Sequence, residues 1–202
     1  MAMTNDRRTL IQFVASAALV SAACVIYLGT AGWTDDNTRL LLRLTARLAF
    51  VVLLLVFMAR PLRDLIKTPL TAALLKNRKQ IGVTFAGIHS AHMALIIYHA
   101  RHASDFELSL VSNLPGLFVY VVIYLMLITS FSGPARAIGP KAWRVLHKTG
   151  LFLITAVFAQ MQLPESLDDL SEVSWGLLGL LVFALLVRGT AFFARRKKAS
   201  DK

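Results

Sequence analysis

Six apolar runs, each about the length needed to cross a bilayer, dominate the chain. They cover residues 10–30, 40–58, 80–99, 114–131, 145–163 and 174–193. A hydrocarbon core about 30 Å thick is crossed by roughly 20 residues of helix. A helix is the default form there because lipid offers no partner to backbone N–H and C=O groups. The first run carries no charge between Arg8 and Asp35, the second holds Arg43 and Arg47 near its start, and the sixth holds Arg188 near its end. The first run is too long for the apolar part of a secretory signal, and five more follow it. Charged residues are only 16% of the chain and hydrophobic ones 56%, against roughly 25% charged in soluble domains. A disordered chain is excluded, and an ordinary soluble globule does not fit. The fold class expected is all-α: a polytopic membrane protein with six transmembrane helices in one bundle.

Charge alternates from one connection to the next. Arg7 and Arg8 precede the first run. Arg60, Arg63, Lys67, Lys76, Arg78 and Lys79 lie between the second and third, and Arg136, Lys141, Arg144 and Lys148 between the fourth and fifth. Arg195, Arg196, Lys197, Lys198 and Lys202 close the chain. The other connections are acidic: Asp35 and Asp36, then Asp105 and Glu107, then Glu165, Asp168, Asp169 and Glu172. The excess of Lys and Arg on cytoplasmic loops places both termini in the cytoplasm. The formal net charge of +11 is thus a topology signal, and the expected partner is a lipid bilayer rather than a nucleic acid. Trp33, Trp143 and Trp175 fall at expected membrane–water boundaries. The organisation expected is a cytoplasmic N-terminus over 1–9, one six-helix domain over 10–195 and a basic cytoplasmic tail over 196–202. Cys24, the single cysteine, allows neither an internal disulfide nor a thiolate metal cluster. No Gly-rich dinucleotide fingerprint, phosphate loop or zinc spacing occurs, so if the chain carries electrons, their donor lies elsewhere.

Polar side chains inside a membrane are costly and mark function by default. All five histidines fall in or beside two runs: His89, His92, His99 and His102 at the third, His147 at the start of the fifth. His102, His99 and His147 are near helix ends, where an interfacial role suffices. His89 and His92 lie roughly 10–15 Å into the third helix at 1.5 Å per residue. Neutral imidazoles in an apolar bundle suit zinc or copper, or heme iron, which takes an axial imidazole on each side. No intramembrane carboxylate or thiolate cluster accompanies them. A heme also needs cations for its propionates. Arg39, Arg43 and Arg47 recur every four residues as one basic stripe. Arg39 and Arg43 can snorkel outward; Arg47 is deep enough to meet a propionate or another anionic ligand.

Thr45-Ala-Arg47-Leu-Ala-Phe50, Arg60-Pro-Leu, Asn77-Arg78-Lys79-Gln-Ile-Gly82 with His92 ten residues on, Thr129-Ser-Phe131, and Gly139-Pro140-Lys-Ala-Trp143-Arg144-Val-Leu-His147 follow one another in order. This order and spacing resembles the ferric reductase-like transmembrane domain superfamily over roughly Arg39 to Leu163. Within it, the chain is similar to the MsrQ/YedZ-like heme-binding membrane subunits of periplasmic methionine sulfoxide reductase systems. The Gly-Pro-x-x-Trp-x-x-Leu-His run carries most of the specificity. The resemblance implies a six-helix, heme-binding bundle in the bacterial inner membrane. It implies a b-type cytochrome with one or two hemes b, passing electrons from a cytoplasmic flavin reductase or a quinol to an acceptor on the outer face. FMN or a quinone is a further cofactor, and a periplasmic oxidoreductase a further partner, of such a system.

The family's third-helix ligand maps onto His92 and its first fifth-helix histidine onto His147. Its second fifth-helix histidine falls on Gln160, not a usual strong axial ligand, and the inner third-helix histidine of related enzymes is Arg78 here. His92 lies about a dozen residues deeper than His147, an offset of over 10 Å at the helical rise, which His89 narrows by about 4 Å. Three arrangements stay open: His89 or His92 paired with His147; a heme nearer the outer side, held by His92 or His99 with Gln160 or water; or loss of heme. The basic connections around Arg60–Lys79 and Arg136–Lys148 can dock a flavin phosphate or an acidic reductase. Tyr98, Tyr120 and Tyr124 are candidates to line a redox or quinone site, or simply to pack. Against the cytochrome stand a transporter whose histidines relay protons, for which no acidic residue lies within a run, and a heme-free membrane anchor.

Overall fold

The computed structural model describes residues 2–102, 110–162 and 172–200, and these form seven helices. They are α1 (Ala2–Ala31), α2 (Asp35–Leu65), α3 (Pro69–Lys76), α4 (Arg78–His102), α5 (Leu110–Ile128), α6 (Ser132–Gln162) and α7 (Glu172–Ser200). Their ends are written locally. Gly32, at φ 99°, closes α1 by donating its N–H to the Leu28 carbonyl at 2.9 Å, a left-handed cap that glycine adopts without a Cβ penalty. Thr34 caps α2 by accepting from the Asn37 N–H at 3.3 Å, and Asp35 and Asp36 sit in its first turn, where the helix dipole favours anions. Asn37 then reaches back to the Ala31 and Gly32 carbonyls, both at 3.0 Å, and ties the two helices together.

The helix α3 lies in a connection read from sequence only as basic. Thr68 and Thr71 form a capping box around Pro69, and proline's fixed φ suits the first helical position. The helix α6 begins at Ser132, well before the apolar run at 145, and is interrupted only at Gly139, whose φ of 75° and ψ of 164° break the helix.

Among the described residues, four helices are long and apolar enough to cross a membrane: Asn5–Ala31, Asp35–Leu65, Arg78–His102 and Val173–Lys197. Leu114–Ile128 and Ser132–Gln160, bent by 108° where they join, meet that measure only as a pair, giving up to five spans. The count of six takes these two as separate crossings. Neither meets the measure alone: Leu114–Ile128 is too short, and α6 opens with Arg136, Lys141, Arg144 and Lys148 before its apolar part.

The helices α2 and α4 form the central pair; α1 packs chiefly on α4, α7 on α2, and α5 on α6. Phe50, Leu53, Leu54 and Phe57 of α2 meet Val83 and Ala86 of α4, Ile154 and Phe158 of α6, and Leu181 and Ala184 of α7 in the main core. Cys24 is buried in a smaller cluster with Leu28, Leu41 and Leu95. Gly87 permits a close approach of α4 to α1. A Cβ there would meet the Phe13 carbonyl oxygen at 2.8 Å and the Ala17 nitrogen at 3.1 Å.

Pro61 lies inside α2. It has no N–H to give the carbonyl four residues back, which belongs to Phe57. Arg188 of α7 fills that vacancy, donating Nη1–H to the Phe57 carbonyl at 2.9 Å. Its guanidinium lies 4.2 Å from the ring centres of both Phe57 and Phe152. A cation inside a span is thus held by a carbonyl and two aromatic rings.

Candidate functional site

His89 and His92 face the same neighbourhood from α4. Both are buried, at 6% and 7% exposure, and their rings stack with centroids 5.2 Å apart. Thr45 of α2 determines what His92 can do. Its hydroxyl donates to the Leu41 carbonyl at 2.7 Å, and a hydroxyl has one proton. In its 2.8 Å contact with His92 Nδ1 the threonine oxygen therefore accepts. The neutral His92 ring carries its proton on Nδ1 and keeps a lone pair on Nε2, the arrangement a metal-binding imidazole needs.

His89 sits among aromatic rings: Tyr120 at 4.6 Å, Phe158 at 5.3 Å and Phe85 at 5.5 Å between centroids. Tyr120 donates its hydroxyl to the His89 carbonyl at 3.4 Å, and Tyr124 meets Ser90 at 3.0 Å. The Nδ1 of His89 is buried without a hydrogen-bond partner among the described residues. An orphaned buried nitrogen costs free energy, and a bound group or water would relieve it.

His147 belongs to a second cluster, at the α5–α6 junction. Its ring stacks on Trp143 at 4.2 Å, and Trp143 donates Nε1–H to the Thr129 carbonyl at 2.8 Å. Thr129 repeats the device of Thr45. Its hydroxyl donates to the Leu125 carbonyl at 2.7 Å and so accepts from His147 Nε2–H at 3.0 Å. The His147 lone pair is then on Nδ1. Axial ligation through Nε2 would require this ring to leave Thr129. The structure brings His89 and His92 together and seats His147 in a separate set of contacts.

A cavity of about 930 Å³ opens beside His147, inside the roughly 300–1,000 Å³ range of cofactor sites. Leu53, Phe57, Phe85, Ile123 and Ile154 give it apolar walls, and Arg60, Arg78, Lys79, Arg144, Lys148, Arg188 and Arg195 face it, with Asp6 as the single carboxylate. Asp6 of α1 accepts from the Ser132 N–H at 3.0 Å and from its hydroxyl, joining the start of α1 to the start of α6. The start of α1, the ends of α2 and α7, the start of α4 and the α5–α6 junction therefore meet at one end of the bundle.

The opposite end holds the remaining candidates. His99 is buried, its Nδ1 3.2 Å from Asp35, which also pairs with Arg39 at 2.7 Å. Trp33 and Tyr98 pack there at 5.1 Å. His102 is exposed, stacks on Tyr98 and bonds its carbonyl at 2.8 Å. Gln160 is exposed, and Arg47 is half-buried and does not line the cavity. Asp105, Glu107, Glu165, Asp168 and Asp169 lie outside the described residues. Sequence reasoning missed Thr45, Thr129 and Arg188 as partners. Thr45 and His92 are 47 positions apart, and no local pattern links them, whereas Pro61 did announce a carbonyl in need of a donor.

The residues fit a heme in their chemistry. A buried imidazole offers Nε2, another buried nitrogen is orphaned, apolar walls adjoin a cationic end suited to propionates, and a Cβ on cavity-lining Gly82 would enter open space. Compared with known proteins, residues 43–159 match a family model described as ferric reductase like transmembrane component. The match spans Thr45, His89, His92, Thr129 and His147 and stops short of Arg188. No curated protein matches, and no solved structure matches.

Proposed function

Because the chain belongs to the ferric reductase like transmembrane family, which speaks for electron transfer in a membrane, we propose that it is a b-type cytochrome of the MsrQ/YedZ-like kind. The observation that carries this reading is the Thr45–His92 pair, an intramembrane imidazole whose tautomer is set for metal binding. When bound, heme b supplies one-electron carriage at an iron whose potential follows axial ligands, burial and nearby charge. His92 would hold the iron through Nε2, while Thr45 keeps its ring oriented. His147 or His89 would supply a second nitrogen to the iron. The cations at the basic end would pair with propionates, and the apolar walls would keep water out. The exposure of Gln160 supports one heme rather than two.

The two-sided placement supports six crossings. Thr129 and His147, at the end of α5 and in the first half of α6, lie at the basic end, while Tyr120 and Phe158 reach His89 deep in the bundle. On this reading α5 approaches the basic end and the apolar part of α6 leaves it, which favours two crossings. An even count agrees with both ends of the chain lying at the same end of the bundle, the basic one, which the positive-inside rule assigns to the cytoplasm. Electrons would enter there from a flavin reductase or a quinol, with FMN or quinone as the carrier. They would leave to a periplasmic oxidoreductase outside a bacterial inner membrane. Purified His92→Ala protein, expressed with ample heme, tests the assignment: heme per chain should fall to a small fraction of wild type, and full occupancy would overturn it.

A further inference from the structure

A second basic recess, of about 520 Å³, lies between the end of α2, α3 and the last turns of α7. Arg60, Arg63, Asp64, Lys67 and Arg195 line it. Asp64 is engaged by Arg60, 3.3 Å away, and by Arg195. Arg63 donates Nη1–H to the Thr68 carbonyl at 3.2 Å, which holds its guanidinium across the break between α2 and α3. Neither Arg63 nor Lys67 has a carboxylate partner among the described residues. The recess thus carries four cations against one carboxylate, an arrangement that calls for an anion.

The neighbours of these cations say which anion. Leu65 and Ile66, between the lining residues Asp64 and Lys67, and Leu70, in the first turn of α3, are exposed, Leu70 to 79%. A free phosphate needs the cations alone. Apolar side chains left bare next to them are what a lipid with a charged head and hydrocarbon tails requires. The recess also lies at the basic end of the bundle, and basic pockets between membrane helices on the cytoplasmic side suit anionic headgroups. We propose that this recess binds the phosphate of an anionic phospholipid, with Arg63 and Lys67 on the headgroup and Leu65, Ile66 and Leu70 along the acyl chains. The inference does not depend on heme.

The test is native mass spectrometry of the full chain in detergent, titrated with phosphatidylglycerol or phosphatidylcholine. Wild type should retain phosphatidylglycerol in preference to phosphatidylcholine. Arg63→Gln/Lys67→Gln should weaken phosphatidylglycerol binding roughly tenfold or more, while Arg7→Gln/Arg8→Gln, which removes as much charge elsewhere, should not. Should the first pair fail to fold, Ala194→Glu sets a carboxylate in the recess with every cation kept, and the same loss is expected. Equal retention of phosphatidylcholine, or undiminished binding in the recess variants, would overturn the proposal. Displacement of the lipid by equimolar inorganic phosphate would overturn the lipid in favour of a free-phosphate site.

Discussion

Replacing Pro61 should make Arg188 partly dispensable. Proline leaves the Phe57 carbonyl without its helical donor, and Arg188 supplies one at 2.9 Å while lying 4.2 Å from the Phe57 and Phe152 ring centres. Arg188→Met removes all three contacts. The orphaned carbonyl should cost about 1–3 kcal/mol and each aromatic contact roughly 0.5–1 kcal/mol or more. In Pro61→Ala the new amide N–H can reach the same carbonyl. Arg188→Met should then cost only the aromatic part, and the two changes should be non-additive by about 1–3 kcal/mol. Unfolding of the four proteins in mixed micelles, followed by tryptophan fluorescence, measures the cycle. Additivity within about 0.5 kcal/mol, the behaviour of independent sites, would refute the account of Arg188.

Thr45→Val keeps the shape of the side chain but removes the acceptor of His92 Nδ1–H; heme affinity should fall roughly 10–100-fold, as for other partners that orient a metal ligand, and Thr45→Ser should restore most of it in a heme titration. Gly87→Ala should lower stability by about 1–3 kcal/mol, because its Cβ meets backbone atoms of α1 at 2.8 and 3.1 Å. Gly82→Ala, whose Cβ meets nothing within 4 Å, should leave thermal unfolding nearly unchanged or slightly improved.

The legible part of this molecule was the part written in periodic or local terms. Long apolar runs located the helices, and the alternation of basic and acidic connections foresaw which segments would share an end: Arg60 and Arg78 from one connection, Arg144 from another and Arg195 from the last stretch face one cavity. Thr68-Pro69 with Thr71 spelled a helix start that a reading by hydropathy alone passed over, because α3 is only eight residues long. His89 and His92 were singled out by depth, and the structure buries both. Partnerships across helices were not legible. Thr45 with His92, Thr129 with His147, and Arg188 with Phe57 depend on rotation and register between helices, which hydropathy leaves undetermined. Arg47 and Gln160 drew attention by position, yet neither lines the cavity that other cations face.

The central claim is that this family member carries heme in its bundle. A reduced-minus-oxidised absorption spectrum of the purified wild-type protein, with the heme-to-protein ratio measured on the same sample, tests it most directly. The account predicts sharp b-type bands at about one heme per chain. A colourless protein after expression with ample heme would contradict it.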